Sequence, residues 1–387
     1  MVIAPGSVLG VLGGGQLGSM FAAAAGRMGY RVAVWDPDSD APAHRLAAYS
    51  VTTPFSDPQT ILRFSDLVSV VTYEWENVPV SLCRELERRK PLRPSSAILG
   101  VIQDRLAQKT YLAEAGFPVA RFAALTNPAD LPHTIEQIGY PAVCKTATAG
   151  YDGKGQWRIL RASDVGGVQS ELRASARDGS WWIVESFVPF ERELSILVAR
   201  GADGGSAVYP VAENEHEGGI LRTTIVPADV SEKVIRNARE LAQAVVERLD
   251  GIGVFCLELF LLSGEELLIN EVAPRPHNSG HYSLDACTVS QFEQQVRTVC
   301  GLPLGEVRLL SPVAMVNLIG EDAANVMNEE GCRALLSVPG AVLHLYGKQT
   351  IRPRRKMGHV TFLSRDASSA KMKAAQLRER LHGMRAT

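Results

Sequence analysis

The sequence predicts an α/β chain of several domains, a parallel N-terminal unit followed by a small α/β unit and a larger mixed sheet. Two observations carry this. The first hundred residues alternate short buried apolar runs with helical patterns, the signature of strands joined by crossover helices. Further on, "GVFCLELFLL" and "ELLINEVAP" form two long strand-like runs separated only by turn residues. At 387 residues the chain has room for roughly two to three domains with sizeable cores.

In chain order, "SVLGVL" reads as a buried strand, "QLGSMFAAAAGRM" as a helix and "YRVAVW" as a second strand ending at Asp36; "LVSVVTYEWENVP" is a further strand running into a turn. "KPLRPSS" marks the exit, so residues 1–102 form the first domain. Residues 103–180 hold the helix "DRLAQKTYLAEAG", the strand "YPAVCK", a glycine-rich loop and the strand "GQWRIL". Residues 181–300 hold "SWWIVESFV", "ERELSILVAR", a helix with apolar residues at 234, 238, 241, 245 and 249, and the strand pair, all assigned to the larger sheet. Residues 301–387 hold short strands and turns and end in a helix rich in Lys and Arg.

Composition excludes several classes. Lys plus Arg is 40 against 42 for Asp plus Glu, so no global charge points to nucleic acid or an anionic membrane. The six cysteines show neither C-x-x-C nor zinc-ligand spacing, and several sit in apolar runs; buried, reduced thiols are expected. No apolar stretch approaches the ~20 residues that span a bilayer, and "MVIAPGS" lacks a basic, cleavable leader pattern. The expectation is a soluble, untargeted, cytoplasmic protein.

Four stretches carry chemistry. In "GVLGGGQLGSM", Gly13, Gly15 and Gly18 match G-x-G-x-x-G between a strand and a helix, a turn that brings N–H groups to a helix start and favours an anion. This fits a dinucleotide site of the Rossmann type, with Asp36 on a ribose; a plain tight turn is the alternative. In "VFCLELFLLSGEELLINEVAP", a two-residue type II′ turn at Gly264 and Glu265 puts Glu258 opposite Glu271. Glu258 stands between Cys256 and Phe260 on its face, so its charge needs compensation. A divalent cation is one compensator, with Mg²⁺ or Mn²⁺ favoured by oxygen ligands and Asn270 alongside; basic partners from elsewhere are the other. "VCKTATAGYDGKGQW" offers Lys145, Lys154, Gly150, Gly153 and Gly155 to phosphates, without Walker A spacing. "EVAPRPHNSGH" sets Arg275, His277, Asn278 and His281 on a proline-stiffened run, an anion pocket or a surface turn; "YGKQTIRPRRKMGH" gathers Lys348, Arg352, Arg354, Arg355 and Lys356, a substrate-phosphate site or a solvated edge strand.

Taken together and in order, "GGGQLG", "TYEWENVP", "DRLAQK", "AGYDGKGQ", "VESFV", "NEHEGGILRTT", "LELF", "INEVAPRPHNSGH" and "RKMGHV" resemble the ATP-grasp superfamily, and within it the N5-carboxyaminoimidazole ribonucleotide synthetases. The resemblance covers almost the whole chain. It implies a Rossmann-like pre-ATP-grasp domain, a lid subdomain, and a mixed-sheet domain. It also implies an ATP- and Mg²⁺-dependent ligation of bicarbonate to 5-aminoimidazole ribonucleotide through carboxyphosphate, in a cytoplasmic homodimer. By the same resemblance Arg105, Lys145, Gly150, Tyr151, Asp152, Gly153, Lys154, Gly155 and Gln156 lie along the ATP phosphates. Glu185, Ser186, Phe187 and Val188 meet adenine, Glu193 the ribose, and His216 lies near the nucleotide. Glu258 and Glu271 hold the metal with Asn270 adjacent, and Arg275, His277 and Asn278 position bicarbonate or carboxyphosphate. Gln16, Leu17, Glu76, Tyr151, Asp152, Lys348 and Arg355 surround the ribotide, Asp152 contacting or deprotonating its amine.

The chain departs from that pattern at Ser19, where members often carry a basic residue, and at Arg354, where they commonly show Gly. Three other readings are weighed against it. A formate-dependent glycinamide ribonucleotide transformylase shares the ATP machinery, but "TYEWENVP" and "RKMGHV" favour the aminoimidazole acceptor. A nicotinamide-linked oxidoreductase leaves Glu258 and Glu271 without a task, and a non-catalytic nucleotide-binding module predicts relaxed metal ligands.

Overall fold

The computed structural model describes residues 2–148, 150, 154–177 and 179–383. Its first unit comprises β1 (Val8–Leu12), α1 (Gln16–Arg27), β2 (Arg31–Trp35), β3 (Tyr49–Val51), α2 (Pro58–Leu67), β4 (Val70–Tyr73), α3 (Val80–Glu87) and α4 (Ser96–Ile102). The strands form a parallel sheet in the order β3-β2-β1-β4. Every residue of β1 and β4 is buried, because a parallel sheet is covered on both faces. On one face Val8 and Leu12 meet Phe64, Leu82 and Cys83. On the other, Leu9 and Val11 meet Phe21, Ala22 and Ala25 of α1, together with Val296, Val299 and Cys300 from far along the chain.

The second unit holds α5 (Arg105–Glu114), β5 (Phe122–Leu125), α6 (Leu131–Ile138), β6 (Ala142–Thr146), β7 (Gln156–Ile159), α7 (Val165–Ser175) and β8 (Trp182–Ser186). Its antiparallel sheet runs β5-β8-β6-β7. The strand in "SWWIVESFV", expected in the larger sheet, belongs here: β8 is central, and Trp182 and Val184 fill the core that α6 and α7 cover. Asp104 caps α5, its carboxylate accepting from the N–H groups of Leu106 and Ala107.

The third unit comprises β9 (Arg192–Arg200), β10 (Ser206–Val208), β11 (Ala212–Glu217), β12 (Ile220–Val226), α8 (Glu232–Arg248), β13 (Gly253–Leu261), β14 (Leu267–Ala273), α9 (Ser283–Ala286) and α10 (Gln291–Cys300). The C-terminal stretch adds β15 (Val313–Ile319), α11 (Glu321–Met327), α12 (Glu329–Leu336), β16 (Ala341–Leu345), β17 (Lys356–Leu363) and α13 (Ala367–Gly383). These strands make one nine-stranded sheet, β14-β13-β9-β11-β12-β15-β17-β16, with β10 on β9. Its named strands pair antiparallel, and the parallel contact is an isolated bridge from Val119 to Ile269 on β14. The amphipathic helix α8 buries Val234, Ala238 and Val245 against Phe255, Leu257 and Leu259 of β13, with Leu241 and Leu249 alongside. Each such large apolar side chain contributes about 1.5–3 kcal/mol. Cys83, Cys144, Cys256, Cys287 and Cys300 are buried, and each described cysteine is a free thiol. Among the described residues, no helix is long and apolar enough to cross a membrane.

Candidate active site

A cleft of about 1140 Å³ opens where the three units meet. Its geometry starts with the β13–β14 hairpin. Leu262 N–H bonds Glu266 C=O at 2.8 Å, so the turn holds three residues, Ser263, Gly264 and Glu265, rather than the two expected. Gly264 and Glu265 both adopt positive φ, 81° and 66°. This turn sets Leu261 opposite Leu267 and Leu259 opposite Ile269, a register that continued unbroken would bring Asn270 to Glu258. A β-bulge intervenes: the pairing shifts between Leu259 and Glu258, and Glu258 faces Glu271 after all. The carboxylate pair is therefore where the sequence places it, although the turn is longer.

Electrostatics split the pair. Burial pushes the Glu258 carboxyl up, and the Glu271 charge adds to it. Burial also opposes ionisation of Glu271, but the Arg105 guanidinium, whose Nη1 donates to Glu271 Oε2 at 2.7 Å, more than offsets it and holds that carboxyl down. Asn270 Nδ2 lies 3.4 Å from Glu258 Oε2. Among the described residues no group of three or more His, Cys, Asp or Glu side chains could hold a metal. Two opposed carboxylates still fit Mg²⁺, which keeps several oxygen positions for water and substrate phosphates.

Beside the pair, Lys145 Nζ donates to Glu185 Oε2 at 2.6 Å. Sequence reasoning assigned no role to Lys109, which is 3% exposed, with its Nζ 3.8 Å from Glu185 Oε1 and donating to Ile269 C=O at 3.0 Å. Burial pulls its ammonium down to about 8. Its position on the inner face of α5, four residues after Arg105, was the available signal. Glu193 and the His216 imidazole are in direct contact. Burial works against the imidazolium, but the Glu193 hydrogen bond raises it above the usual range.

Toward the first unit, Arg275 Nη2 meets Glu76 Oε1 at 2.6 Å and Oε2 at 2.9 Å. His277 Nδ1 accepts from Ser279, N–H at 3.3 Å and hydroxyl at 2.8 Å, so its proton sits on Nε2, 3.3 Å from Glu258 Oε1. Burial, then the Arg275 charge, keeps this imidazole neutral. Asn278 is 7% exposed, and its amide nitrogen and oxygen have no hydrogen-bond partner among the described residues. A buried orphan amide beside an open cleft suits a polar ligand. His281 is not in this pocket: it is fully buried against His359, with ring centroids 4.9 Å apart, and takes a hydrogen bond from Gln291.

The glycine loop answers its own question. Glu74, which sequence reasoning overlooked, accepts from Gly15 N–H at 2.6 Å and Gly18 N–H at 2.7 Å, and Gly14 N–H bonds Asp36 Oδ2 at 2.6 Å. The anion at this helix start is the protein's own carboxylate. A Cβ at Gly15 would stand 2.5 Å from Glu74 Oε1, and one at Gly13 2.5 Å from Glu74 Cγ, so the glycines admit Glu74 rather than a cofactor pyrophosphate. Gln16 and Leu17 line the cleft; Ser19 does not. Lys348 Nζ reaches from the β16–β17 loop to Gln16 Oε1 at 2.8 Å and Lys356 C=O at 2.7 Å. Arg352, Arg355 and Lys356 line the same wall. Arg354 takes φ 67°, a left-handed conformation that explains why glycine suits this position, and its Nη2 donates to Gly218 C=O at 3.0 Å.

Of the remaining expected residues, Gly150, Lys154, Gln156, Ser186, Phe187 and Val188 line the cleft, and Gly155 instead turns against Thr146. Tyr151, Asp152 and Gly153 lie outside the described residues.

A three-unit chain whose small antiparallel sheet and large sheet close on one cleft with opposed carboxylates and basic residues defines an ATP-grasp enzyme. Residues 110–292 match the ATP-grasp domain, 7–103 the ribonucleotide synthetase preATP-grasp domain and 313–373 the phosphoribosylaminoimidazole carboxylase C-terminal domain. The chain is 41% identical over 362 residues to the N5-carboxyaminoimidazole ribonucleotide synthase of Bacillus subtilis, covering 94% of this chain and 93% of that one. It is 41% identical over 357 residues to that of Brucella melitensis, covering 92% and 96%. A solved ADP complex of an N5-carboxyaminoimidazole ribonucleotide synthetase superposes with a TM-score of 0.93 at 40% identity, covering 98% of each chain. The Aspergillus clavatus N5-carboxyaminoimidazole synthase, solved with ADP and 5-aminoimidazole ribonucleotide, gives 0.88 at 32% identity, covering 97% and 98%. The chain belongs to the N5-carboxyaminoimidazole ribonucleotide synthetase family.

Proposed function

We propose that this chain joins bicarbonate to the exocyclic amine of 5-aminoimidazole ribonucleotide at the expense of ATP, giving the N5-carbamate, ADP and phosphate in purine biosynthesis. The observation that carries the reading is the continuity of the cleft: Glu258 touches His277, Arg275 two residues earlier grips Glu76, and both ends share one space with Lys145 and Lys348.

Bicarbonate is a weak electrophile. Its oxygen attacks the γ-phosphorus of ATP, the bond to the bridging oxygen breaks and ADP leaves, so carboxyphosphate forms. Loss of phosphate then yields CO₂, which the amine attacks with release of one proton. Arg105, Lys145 and Lys154 would draw the triphosphate into line. Glu258 and Glu271 would hold Mg²⁺, which when bound neutralises charge on the phosphate oxygens. Arg275, neutral His277 and the orphan amide of Asn278 would cradle the bicarbonate, the imidazole donating without adding charge. Gln16, Glu76, Lys348 and Arg355 would hold the ribotide, the two basic side chains at its phosphate. Asp152 remains the proposed partner of the amine. Exclusion of water preserves carboxyphosphate and CO₂, a task suited to the glycine-rich loop. A cytoplasmic homodimer completes the reading, carried by family likeness and checked by sedimentation.

ADP release measured with aminoimidazole ribotide and bicarbonate, with glycinamide ribotide and formate, and with no acceptor tests the assignment. Turnover is expected with the first pair; turnover confined to the second would overturn it. Glu271→Gln is expected to abolish turnover, and near-normal rates would remove the metal role.

A further inference from the structure

The bulge in β14 has to be held, because the turn alone sets the other register. β14 is the edge strand of the large sheet, and the groups it turns away from β13 reveal the spacing. Ile269 donates N–H to Pro118 C=O at 2.8 Å and accepts from Lys109 Nζ at 3.0 Å. Val272 donates N–H to Gln108 Oε1 at 2.9 Å, and its C=O accepts from Gln108 Nε2 at 3.1 Å. In an unbroken strand the residues that face one edge recur every second position. Here they are three apart, and Asn270 is the additional residue.

All the side chains that read this spacing come from one face of α5. Gln108 is 4% exposed and Lys109 3%; Gln108 Nε2 is also tied to Ile102 C=O at 3.2 Å, so the amide has a fixed orientation. Arg105, a turn earlier, grips Glu271 itself. Residues i, i+3 and i+4 share a helix face, so α5 bonds the strand before the bulge, at the bulge and after it.

We propose that Gln108 and Lys109 are positioning residues for the carboxylate pair: by fixing Ile269 and Val272 three residues apart they impose the bulge that sets Glu271 opposite Glu258. The inference rests on reading that pair as a divalent-cation site. Without the bulge, Asn270 would face Glu258 and Glu271 would turn to the opposite face of the sheet, since a one-residue slip reverses every side chain.

The test is Mn²⁺ binding followed by electron paramagnetic resonance on the full chain, with ADP affinity measured separately in the absence of metal. Q108M and K109M, which keep side-chain length and lose the polar contacts, are each expected to weaken Mn²⁺ binding by about 10- to 100-fold, the range for residues that orient metal ligands. Metal-free ADP affinity is expected to be unchanged in Q108M, whose amide, among the described residues, bonds only Ile102 and Val272; K109M, which also loses the Glu185 ion pair, is read by Mn²⁺ binding alone. Deleting Asn270 from Q108M removes the need for a bulge and returns Glu271 to its place opposite Glu258, so Mn²⁺ affinity should recover. Q108M and K109M that bind Mn²⁺ like wild type, while E271Q does not, would overturn the inference; so would a folded Q108M whose loss is not rescued by the deletion. Should Q108M not fold, K109M decides alone. Wild type and E271Q binding Mn²⁺ equally would instead refute the metal reading.

Discussion

Replacing Glu74 by Gln tests the claim that the glycine loop is filled from within. The carboxylate accepts from two backbone N–H groups, at 2.6 and 2.7 Å, and is 9% exposed. An amide offers one oxygen, so one N–H is left facing an NH₂ group with no acceptor. An orphaned buried donor costs about 1–3 kcal/mol, and replacing a charged acceptor by a neutral one at the second bond adds up to about 1 kcal/mol. The loss falls on the first turn of α1, whose N-cap Gly15 has no side chain to substitute. Local opening there should become about 1–4 kcal/mol easier, which corresponds to about 5- to 700-fold faster amide hydrogen exchange, tenfold for each 1.4 kcal/mol. Mass-spectrometric exchange resolved to residues 13–20, compared with α8 as an internal reference, reads this directly. Unchanged exchange would refute the reasoning. So would NADH binding by the wild-type chain, detected by fluorescence, because a loop already holding Glu74 has no room for a pyrophosphate.

Three further predictions follow from the site. His216 has its folded pKa raised above the ordinary 6.5 by Glu193, so the stability it supplies is complete below that value and is lost as pH rises through the raised one; the stability deficit of His216→Gln in urea unfolding should shrink with rising pH, and a deficit that grows would contradict the pairing. Lys348→Met should weaken binding of the ribotide by about 10- to 150-fold, the loss of one charged hydrogen bond, and leave ADP titration calorimetry unchanged. Arg354→Gly exchanges a left-handed cost of about 1–2 kcal/mol for a lost hydrogen bond and a more flexible unfolded chain; unfolding free energy should move by less than about 1 kcal/mol, and a loss above about 2 kcal/mol would mean that Arg354 anchors the loop.

Much of the fold was legible because periodicity and turn residues act locally. The run "VLGVL" is buried on both sides as its uniform apolarity predicts, and the α8 stripe packs where its spacing puts it. Sheet membership was not legible in "SWWIVESFV", since an apolar run states that it is buried and not beside which strand. The Glu258–Glu271 pair came out as expected through two departures that offset one another: a turn longer by one residue and a bulge of one residue. Glu74, Gln108 and Lys109 escaped notice because their partners lie 56 to 164 residues away. Glu74 acts on the glycine loop from the end of a neighbouring parallel strand, a relation that only the sheet order reveals.

The packing of α10 beneath the first sheet carries a consequence for synthesis. Leu9, Val11 and Phe21 share their core with Val296, Val299 and Cys300, and the N–H of Ile3 bonds the carbonyl of Cys300. When the ribosome has finished the N-terminal strands and helices, one face of their sheet is covered only in part, by α1, and roughly 200 residues must follow before α10 emerges. At the usual ~5–20 residues per second that face stays partly open for about 10–40 s. The first domain therefore completes its core only after the ATP-grasp segment has been translated.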